Sequence, residues 1–384
     1  MIEVFVNDKI FTNFTSLEIY KSMLDIAHKI NISYKQILDE NGQSTSIIDV
    51  NNKVEIYVDG GPTFIGYLTP NKSGGGKSES VDFENKTHTI TASLQDIFGF
   101  LETNKLSKAI NHNAPIDILQ VLEDILKECN YNKLDNLPIA IDVQKDITGR
   151  EIELRIKEKD KMSSEVGIIA AEHLRKFLQR KQILCYSDGI SRLNLSKTGI
   201  DIIEGANIIS NKNSNSNETN TCISIERNSG NQLAYGTCEF ISVNNIKQLR
   251  GKKPSQVSSN NKYVVELNNA LPIRKTVVML RMPTSAKDLE KIGNMMAGNS
   301  KKSEEELTCI VPGFYANKEN KIRFEVNKLI FVSCDYLKIY DYMLIQEVRH
   351  IYSPESQSFT TQLTLIDKKG IDVESIKLID TDNL

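Results

Sequence analysis

A glycine-rich segment is the first part of this chain that could do chemistry. A phosphate-binding loop holds a nucleotide with glycine backbone amides and one lysine, and Gly74-Gly75-Gly76-Lys77-Ser78 resembles the end of such a loop. However, Asn71 occupies the first required glycine position, and no helical pattern follows Ser78. We therefore interpret residues 71–80 as a polar hairpin loop and not as a nucleotide site.

The histidines could bind zinc or act as general bases, but their spacing fits neither role. They are His28, His88, His112, His173 and His350. A zinc protease helix carries two histidines four residues apart, whereas His173 stands beside Glu172 with no second histidine at that spacing. We expect the five residues not to cluster, and we expect His28 and His88 to be hydrogen-bonded side chains on strands.

Carboxylates and cysteines give no clearer chemistry. The acidic pairs Asp124/Glu128 and Glu158/Asp160 are interpreted as solvated charges, and no Gly-x-Ser-x-Gly elbow is present. The six cysteines contain no CxxC pair, which argues against zinc; they are Cys129, Cys185, Cys222, Cys238, Cys309 and Cys334. The sequence predicts no catalytic, metal or cofactor-binding residue, and it assigns no residue to a partner contact.

The bulk properties describe a globular chain of more than one domain. It has 384 residues, 40% of them hydrophobic, a net charge of −3 and no tryptophan. This charge disfavours a protein dedicated to duplex binding. The first seven residues lack the basic and apolar regions of a signal peptide, and no apolar run reaches the length of a membrane span. We expect assembly in a reducing cytoplasm, free thiols and no membrane insertion.

Period-two alternation predicts sheets at both ends of the chain. Residues 326–332, 341–350 and 358–366 are predicted strands. In the last strand Phe359, Thr361, Leu363 and Leu365 share one face, and Thr360, Gln362 and Thr364 share the other. The opening segment has two possible interpretations. One is a helix with an apolar face formed by Leu17, Tyr20, Leu24 and Ala27, and the other is two strands that alternate along residues 17–19 and 26–34. The β-branched residues of the second pattern favour strands. A hairpin at 54–58 and 63–68 turns at Asp59-Gly60, and residues 88–94 form another strand.

The middle of the chain alternates between helical and strand patterns. Asn113 is the predicted cap of a helix with Pro115 in its first turn, and its apolar face is Ile118, Leu122, Ile125, Leu126 and Cys129. Ser163 or Ser164 is predicted to cap a second helix with Val166, Ala170, Leu174 and Phe177 on its face. Strands are predicted at 139–143 and 152–156, and a hairpin at 183–186 and 192–195.

The second half contains a polar run and further strands. Residues 210–221 are predicted to form an exposed or disordered loop. Strands are predicted at 222–227, 233–243, 262–267 and 276–281. A helix bearing Leu289, Ile292 and Met296 follows, and then a charged linker leads to the terminal sheet.

Several phrases of the sequence resemble baseplate hub proteins of Mu-like contractile-tailed phages and related contractile injection systems. They are NDKIFTNFTSLEIYKSMLDIAHKINISY, VEIYVDGGPTFIGYL, HTITASLQDI, the segment 163–199, NQLAYGTCEF and DYMLIQEVRHIYSPESQSFTTQLTLI, and they occur in the family's order. The resemblance covers nearly the whole chain. The loops at Gly74 and at 210–221 depart from it.

The resemblance implies a fold that is mainly β with α+β modules. Two small β-barrel domains would be related as pseudo-repeats, with a helical α+β middle domain and a small helix-containing insert. The implied boundaries are 1–105 for the first barrel, 106–200 for the middle domain, 201–270 and 311–384 for the second barrel, and 271–310 for the insert.

The resemblance also implies a structural, non-enzymatic function without a cofactor. The chain would form a homotrimeric, pseudo-sixfold ring that joins the tail tube to the central spike in the baseplate of a virion or injection particle. Its partners would be itself, the spike, the tube and other baseplate proteins, and DNA or cargo would pass without specific binding. Two alternatives stay open: a receptor- or carbohydrate-binding tail protein, and a tail-associated hydrolase, which would need a catalytic pair that the sequence does not show.

Overall fold

The protein is represented by a computed structural model. The structure describes residues 1–37, 48–49, 52–68, 76–82, 84, 87–113, 115–131, 139–145, 149–156, 162–163, 166–199, 201–210, 219–228, 237–242, 261–266, 275–280, 289–290 and 306–367. Across these ranges the chain is mainly β, with helices concentrated in its middle part. The predicted fold class, mainly β with α+β modules, is confirmed.

The N-terminal strands form a sheet that we call the first β-region. They are β1 (Ile2–Val6), β2 (Lys9–Ile10), β3 (Phe14–Ser22), β4 (Lys29–Ile37), β5 (Lys53–Val58), β6 (Gly61–Leu68), β7 (Gly76–Asp82) and β8 (Thr87–Asp96). They pair antiparallel in the order β3-β4-β8-β6-β5-β1-β2, and β7 also pairs with β8. Leu17 and Ile19 are buried at alternate positions of β3, which confirms strands over the helical stripe.

The turn between β5 and β6 has the geometry that its sequence predicts. Asp59 and Gly60 have φ angles of 50° and 77°, so both central residues lie in the left-handed region that a two-residue type I′ turn requires. Val58 pairs with Gly61 across the turn. The predicted hairpin is confirmed.

Part of the predicted polar loop at 71–80 is wrong, because β7 begins at Gly76. Val81 is the one aliphatic residue of β7, and it is 40% exposed. The strand therefore owes its conformation to hydrogen bonding along β8 and not to a buried face, which is why hydrophobic alternation did not reveal it. Gly74 and Gly75 lie outside the described residues.

The segment from residue 97 to residue 196 folds as an α/β module. Its elements are a 3-10 helix (Ile97–Glu102), β9 (Asn111–His112), β10 (Ile116–Asp117), α1 (Ile118–Glu128), β11 (Ala140–Val143), β12 (Arg155–Ile156), β13 (Met162–Ser163), α2 (Ala170–Lys181), β14 (Leu184–Ser187) and β15 (Arg192–Ser196). The hairpin β14–β15 confirms the prediction, and β11 adds to β15 in parallel.

Both helices begin later than predicted. The Asp117 carboxylate accepts a hydrogen bond of 2.9 Å from the Leu119 amide and caps α1, so Asn113 and Pro115 precede the helix. Helix α2 begins at Ala170, Ser163 belongs to β13, and Val166 is 67% exposed. The strand predicted at 152–156 is only the pair Arg155–Ile156.

Further strands follow the module. They are β16 (Asp201–Ile209), β17 (Thr219–Thr221), β18 (Ser224–Asn228), β19 (Thr237–Ser242), β20 (Asn261–Glu266), β21 (Lys275–Leu280), β22 (Glu306–Pro312), β23 (Tyr315–Asn317), β24 (Ile322–Arg323), β25 (Lys328–Cys334), β26 (Ile339–Ser353) and β27 (Ser358–Asp367). Strands β19, β20 and β21 form a separate sheet. Leu289 is buried, whereas Ile292 and Met296 of the predicted helix lie outside the described residues.

Strands β23 and β24 pair with each other in a two-stranded sheet, and the other strands form what we call the second β-region. The pairings run from β16 through β25, β26, β27 and β22 to β18. In sequence, β17 directly precedes β18, and β17 pairs with β16. Between these two strands, the Cys222 amide donates to the Ile209 carbonyl of β16, and the Ile223 amide donates to the Ile310 carbonyl of β22. The three predicted terminal strands are confirmed. The predicted loop at 210–221 is wrong at its end, where β17 lies.

Strand β26 joins the two β-regions. Its first half, Ile339 to Leu344, pairs with β25, and its second half, Glu347 to Tyr352, pairs with β3 of the first β-region. The register against β27 shifts between Ile345 and Glu347, so Gln346 is an extra residue of a β-bulge. The bulge lies at the crossover, between the stretch of β26 that pairs with β25 and the stretch that pairs with β3.

Truncation on the two faces of β27 should have unequal consequences for stability. Leu363 is fully buried in the apolar core of the second β-region, whereas Gln362 is half-buried on the opposite face. We expect Leu363→Ala to lower the free energy of unfolding by about 2–5 kcal/mol. Gln362→Ala should change it by no more than about 0.5 kcal/mol. Urea unfolding of both variants checks this, and equal losses would show that β27 is buried on both faces.

Candidate functional site

The turn between β14 and β15 docks the α/β module onto the first β-region. The Ser187 amide donates to the Ile26 carbonyl, and the Ile65 amide donates to the Gly189 carbonyl, each at 2.8 Å. Gly189 has a φ of +86°, and a Cβ at this position would lie 2.8 Å from Nδ1 of His28. Only glycine satisfies both the backbone conformation and the close approach.

Asp96 is the buried acid at this junction. It is 0% exposed, and its carboxylate accepts hydrogen bonds from the amides of His28 (2.7 Å) and Phe98 (2.9 Å) and from the Ser187 side chain. Burial raises the pKa of the Asp96 carboxyl to about 7, although these donors favour the ionised form. One side chain thus connects the end of β8, the chain before β4 and the module's turn.

Lys21 is a buried cation beside the same junction. It continues the inward-facing row of β3 after Leu17 and Ile19, and it is only 6% exposed. Burial lowers the pKa of its ammonium, and the field of Glu325 partly opposes this. Lys21 was not among the candidate residues that the sequence predicts. The signal was a lysine at a position that alternation assigns to the core.

His28 is buried but does not fulfil the predicted role of a hydrogen-bonded strand residue. It precedes β4, is 3% exposed, and neither ring nitrogen has a hydrogen-bond partner among the described residues. Burial and the nearby Lys21 charge lower the pKa of the His28 imidazole well below its usual value. The ring is therefore neutral at pH 7.

A cavity of about 250 Å³ opens onto these side chains. We call it the junction cavity, because its lining comes from the first β-region, the α/β module and the segment that leads into β25. Lys21, His28, Tyr186, Asp188, Asn194 and Glu325 are among the lining residues. Polar side chains from three parts of the fold therefore face one small space.

The expectation that the histidines do not cluster is wrong for two of them. The rings of His112 and His173 stack with centroids 6.0 Å apart, because β9 lies against α2. Asp124 approaches Nδ1 of His112 at 3.9 Å, and Phe177 contacts both rings edge-on. Burial lowers the pKa of the His173 imidazole to about 4. This arrangement is an aromatic core contact in which neutral rings are favoured.

The other two histidines make separate contacts. Nε2 of His88 lies 3.3 Å from Glu79, and Nδ1 of His350 lies 2.8 Å from the Thr361 hydroxyl. His88 lies on β8 as predicted. No group of three or more histidine, cysteine or acidic side chains in the described ranges could hold a metal ion.

The remaining candidates lie on the surface or outside the described residues. Glu128 accepts a hydrogen bond from Ser107 and pairs with Lys108 at 2.9 Å, and Asp124 accepts one from Gln120. Glu158 and Asp160 lie outside the described residues. Among the side chains that the structure describes, the free thiols are Cys129, Cys185, Cys222, Cys309 and Cys334.

Within the described part of the chain, no helix combines the length and the apolar character needed to cross a membrane.

Comparison with known proteins identifies the fold. No protein-family model matches the sequence, and no curated protein matches it. The 43 kDa tail protein of prophage MuSo2 from Shewanella oneidensis has a similar structure, with a TM-score of 0.73 and 14% sequence identity. The alignment covers 97% of this chain and 99% of the Shewanella protein. The alignment with a tail protein from Neisseria meningitidis covers 98% of each chain, at 12% identity and a TM-score of 0.68.

A more distant match extends the likeness to secretion systems. An E. coli component of the type VI secretion system, described as structurally similar to the T4 bacteriophage tail proteins gp27 and gp5, matches 95% of this chain over 76% of its own. Its identity is 8% and its TM-score 0.52. The chain therefore has the fold of prophage tail and baseplate hub proteins, and the likeness in fold confirms the resemblance noted in the sequence.

Asp96 should make part of the stability depend on pH. Its pKa is higher in the folded protein (about 7) than its unfolded value of about 4, so the folded state binds the proton more tightly. This contribution is fully present below about pH 4 and is lost as the pH rises through about 7. We expect Asp96→Asn to remove that decline. Urea unfolding at a series of pH values checks this, with Glu123→Gln on the exposed face of α1 as control. Parallel pH profiles for wild type and Asp96→Asn would contradict the assignment.

Proposed function

We propose that this protein is a structural baseplate hub. Three chains form a pseudo-sixfold ring that joins the tail tube to the central spike of a contractile phage tail or of a phage-derived injection device. The observation that carries the proposal is the full-length likeness to prophage tail proteins, which spans 97% of this chain and 99% of the Shewanella protein. Agreement over whole chains includes the order of all the modules and not only one common domain.

The two β-regions support a ring in which each chain contributes two similar units. We propose that they are the barrels of the two barrel domains, with boundaries at 1–105, 106–200, 201–270, 271–310 and 311–384. Strand β26 fixes the two β-regions relative to each other through its pairing with β25 and β3. A chain with two rigidly joined units can present six similar positions from three copies.

Exposed aromatic side chains on the second β-region support an interaction surface. Tyr336, Tyr340 and Tyr342 are 90%, 57% and 45% exposed around the turn between β25 and β26. Phe331 contacts Tyr342 edge-on at 5.3 Å and extends the same face. Tyrosine is enriched in protein interfaces, so this face suits contact with another baseplate chain.

The other attributes of the proposed hub concern its partners and location. We propose that the protein is not an enzyme and carries no cofactor. Its partners would be two further copies, the spike, the tube and neighbouring baseplate proteins. It would be assembled in the bacterial cytoplasm and reside in the tail baseplate or injection particle, and DNA or cargo would pass through its channel without specific binding. The net charge of −3 suits such passage, because a basic channel would retain DNA.

Association of the purified chain tests the proposal. We expect light scattering across a concentration series to give three times the 43.3 kDa mass of one chain. Tyr336→Ser should weaken association without lowering the melting temperature, because this side chain is exposed and lies on the proposed surface. Glu123→Gln, on the exposed face of α1, is the control. A mass of one chain at every concentration would contradict a preformed ring.

A further inference from the structure

The junction cavity contains a buried cation without a partner. Lys21 is 6% exposed and lines the cavity, yet its ammonium makes no hydrogen bond or ion pair with the part of the chain that the structure describes. His28 also lines the cavity, but its two ring nitrogens, which have no partner among the described residues, are not accessible from it. Buried polar groups of native proteins are nearly always satisfied by protein, water or a ligand.

Apart from Glu325, the other charged groups of the lining already have partners. Arg192 lies 3.7 Å from Asp142, and Lys328 lies 2.7 Å from Asp201. The Asp188 carboxylate accepts hydrogen bonds from the amides of residues 190, 191 and 192 at 2.7–3.0 Å. Lys21 is thus the cation of the described lining whose charge is not balanced by a direct contact.

Glu325 does not fill that role. It is exposed at the edge of the cavity and influences Lys21 only through its field, without an ion pair within 4 Å. Glu325 and Asp188 also make the cavity unfavourable for an ion with two negative charges. The Lys21 ammonium can pair with one negative charge and no more.

We propose that the junction cavity binds the carboxylate of a small anionic ligand. The carboxylate accepts a charge-assisted hydrogen bond from the Lys21 ammonium. A volume of about 250 Å³ limits the ligand to a few non-hydrogen atoms beyond the carboxylate. Amide groups of the lining, among them that of Asn194, can contact the uncharged part.

Such binding would couple the modules of one chain. Lys21 belongs to β3, His28 precedes β4, and Asn194 belongs to β15 of the α/β module. A ligand that contacts these residues stabilises the docked arrangement by mass action, because it binds only where all of them meet. Binding at this cavity does not require the proposed hub function.

Sodium acetate is the probe that tests the cavity, with acetamide as a neutral molecule of the same shape. Binding to the full chain is measured by saturation-transfer NMR on the methyl resonance, at constant ionic strength set with sodium chloride. We expect acetate to bind at least about tenfold more tightly than acetamide, because only acetate forms the charge-assisted contact. Equal binding of the two probes, or no binding of acetate, would overturn the proposal and indicate a cavity that holds water only.

A matched pair of variants locates the site. Lys21→Met keeps the length of the side chain and removes its charge, and replacing an unpaired buried charge by an apolar group should not unfold the protein. We expect this variant to bind acetate at least about tenfold more weakly. Lys9→Met, at an exposed position of β2, should bind like the wild type. Unchanged acetate binding in Lys21→Met would place the anion elsewhere and contradict the assignment. The comparison of acetate with acetamide on the wild type decides the proposal even if Lys21→Met does not fold.

Discussion

The double pairing of strand β26 is the constraint on which the rest of the structure depends. Its first half completes the second β-region against β25, and its second half extends the first β-region against β3. Because one continuous backbone hydrogen-bonds to both, the β-regions cannot rotate freely about a linker. The bulge at Gln346 makes this possible: its carbonyl accepts a hydrogen bond from the Met23 amide just beyond β3.

The same constraint explains why polar groups are buried between the modules. Once β26 fixes the β-regions, the α/β module docks through the turn before β15 and buries Asp96, Lys21 and His28 at the junction. Asp96 tolerates burial because backbone amides donate to it. Apolar cores hold each module together, whereas this polar junction determines how the modules fit together. A hub that transmits force between a tube and a spike would require such a defined fit.

The sequence predicted those elements whose stability comes from a single buried face. Leu363 and Leu365 of β27 and the Asp59–Gly60 turn are examples, since local pattern and turn chemistry specify them. It failed where tertiary hydrogen bonds decide: β7 has no apolar face, and the cap of α1 is Asp117 rather than Asn113. The junction was also missed. Alternation marked His28 as a strand residue, and no pattern brings residues 21, 96 and 188 together before the chain has folded.

The most direct test of the account is the position of this chain in an intact particle. Cryo-electron microscopy of tails purified from a bacterium that produces this protein should show three copies in a ring between the tail tube and the spike. Each copy should place its first and second β-regions at alternating positions of that ring. Density for the chain at the tail fibres, or a particle whose tube meets the spike without it, would contradict the proposed function.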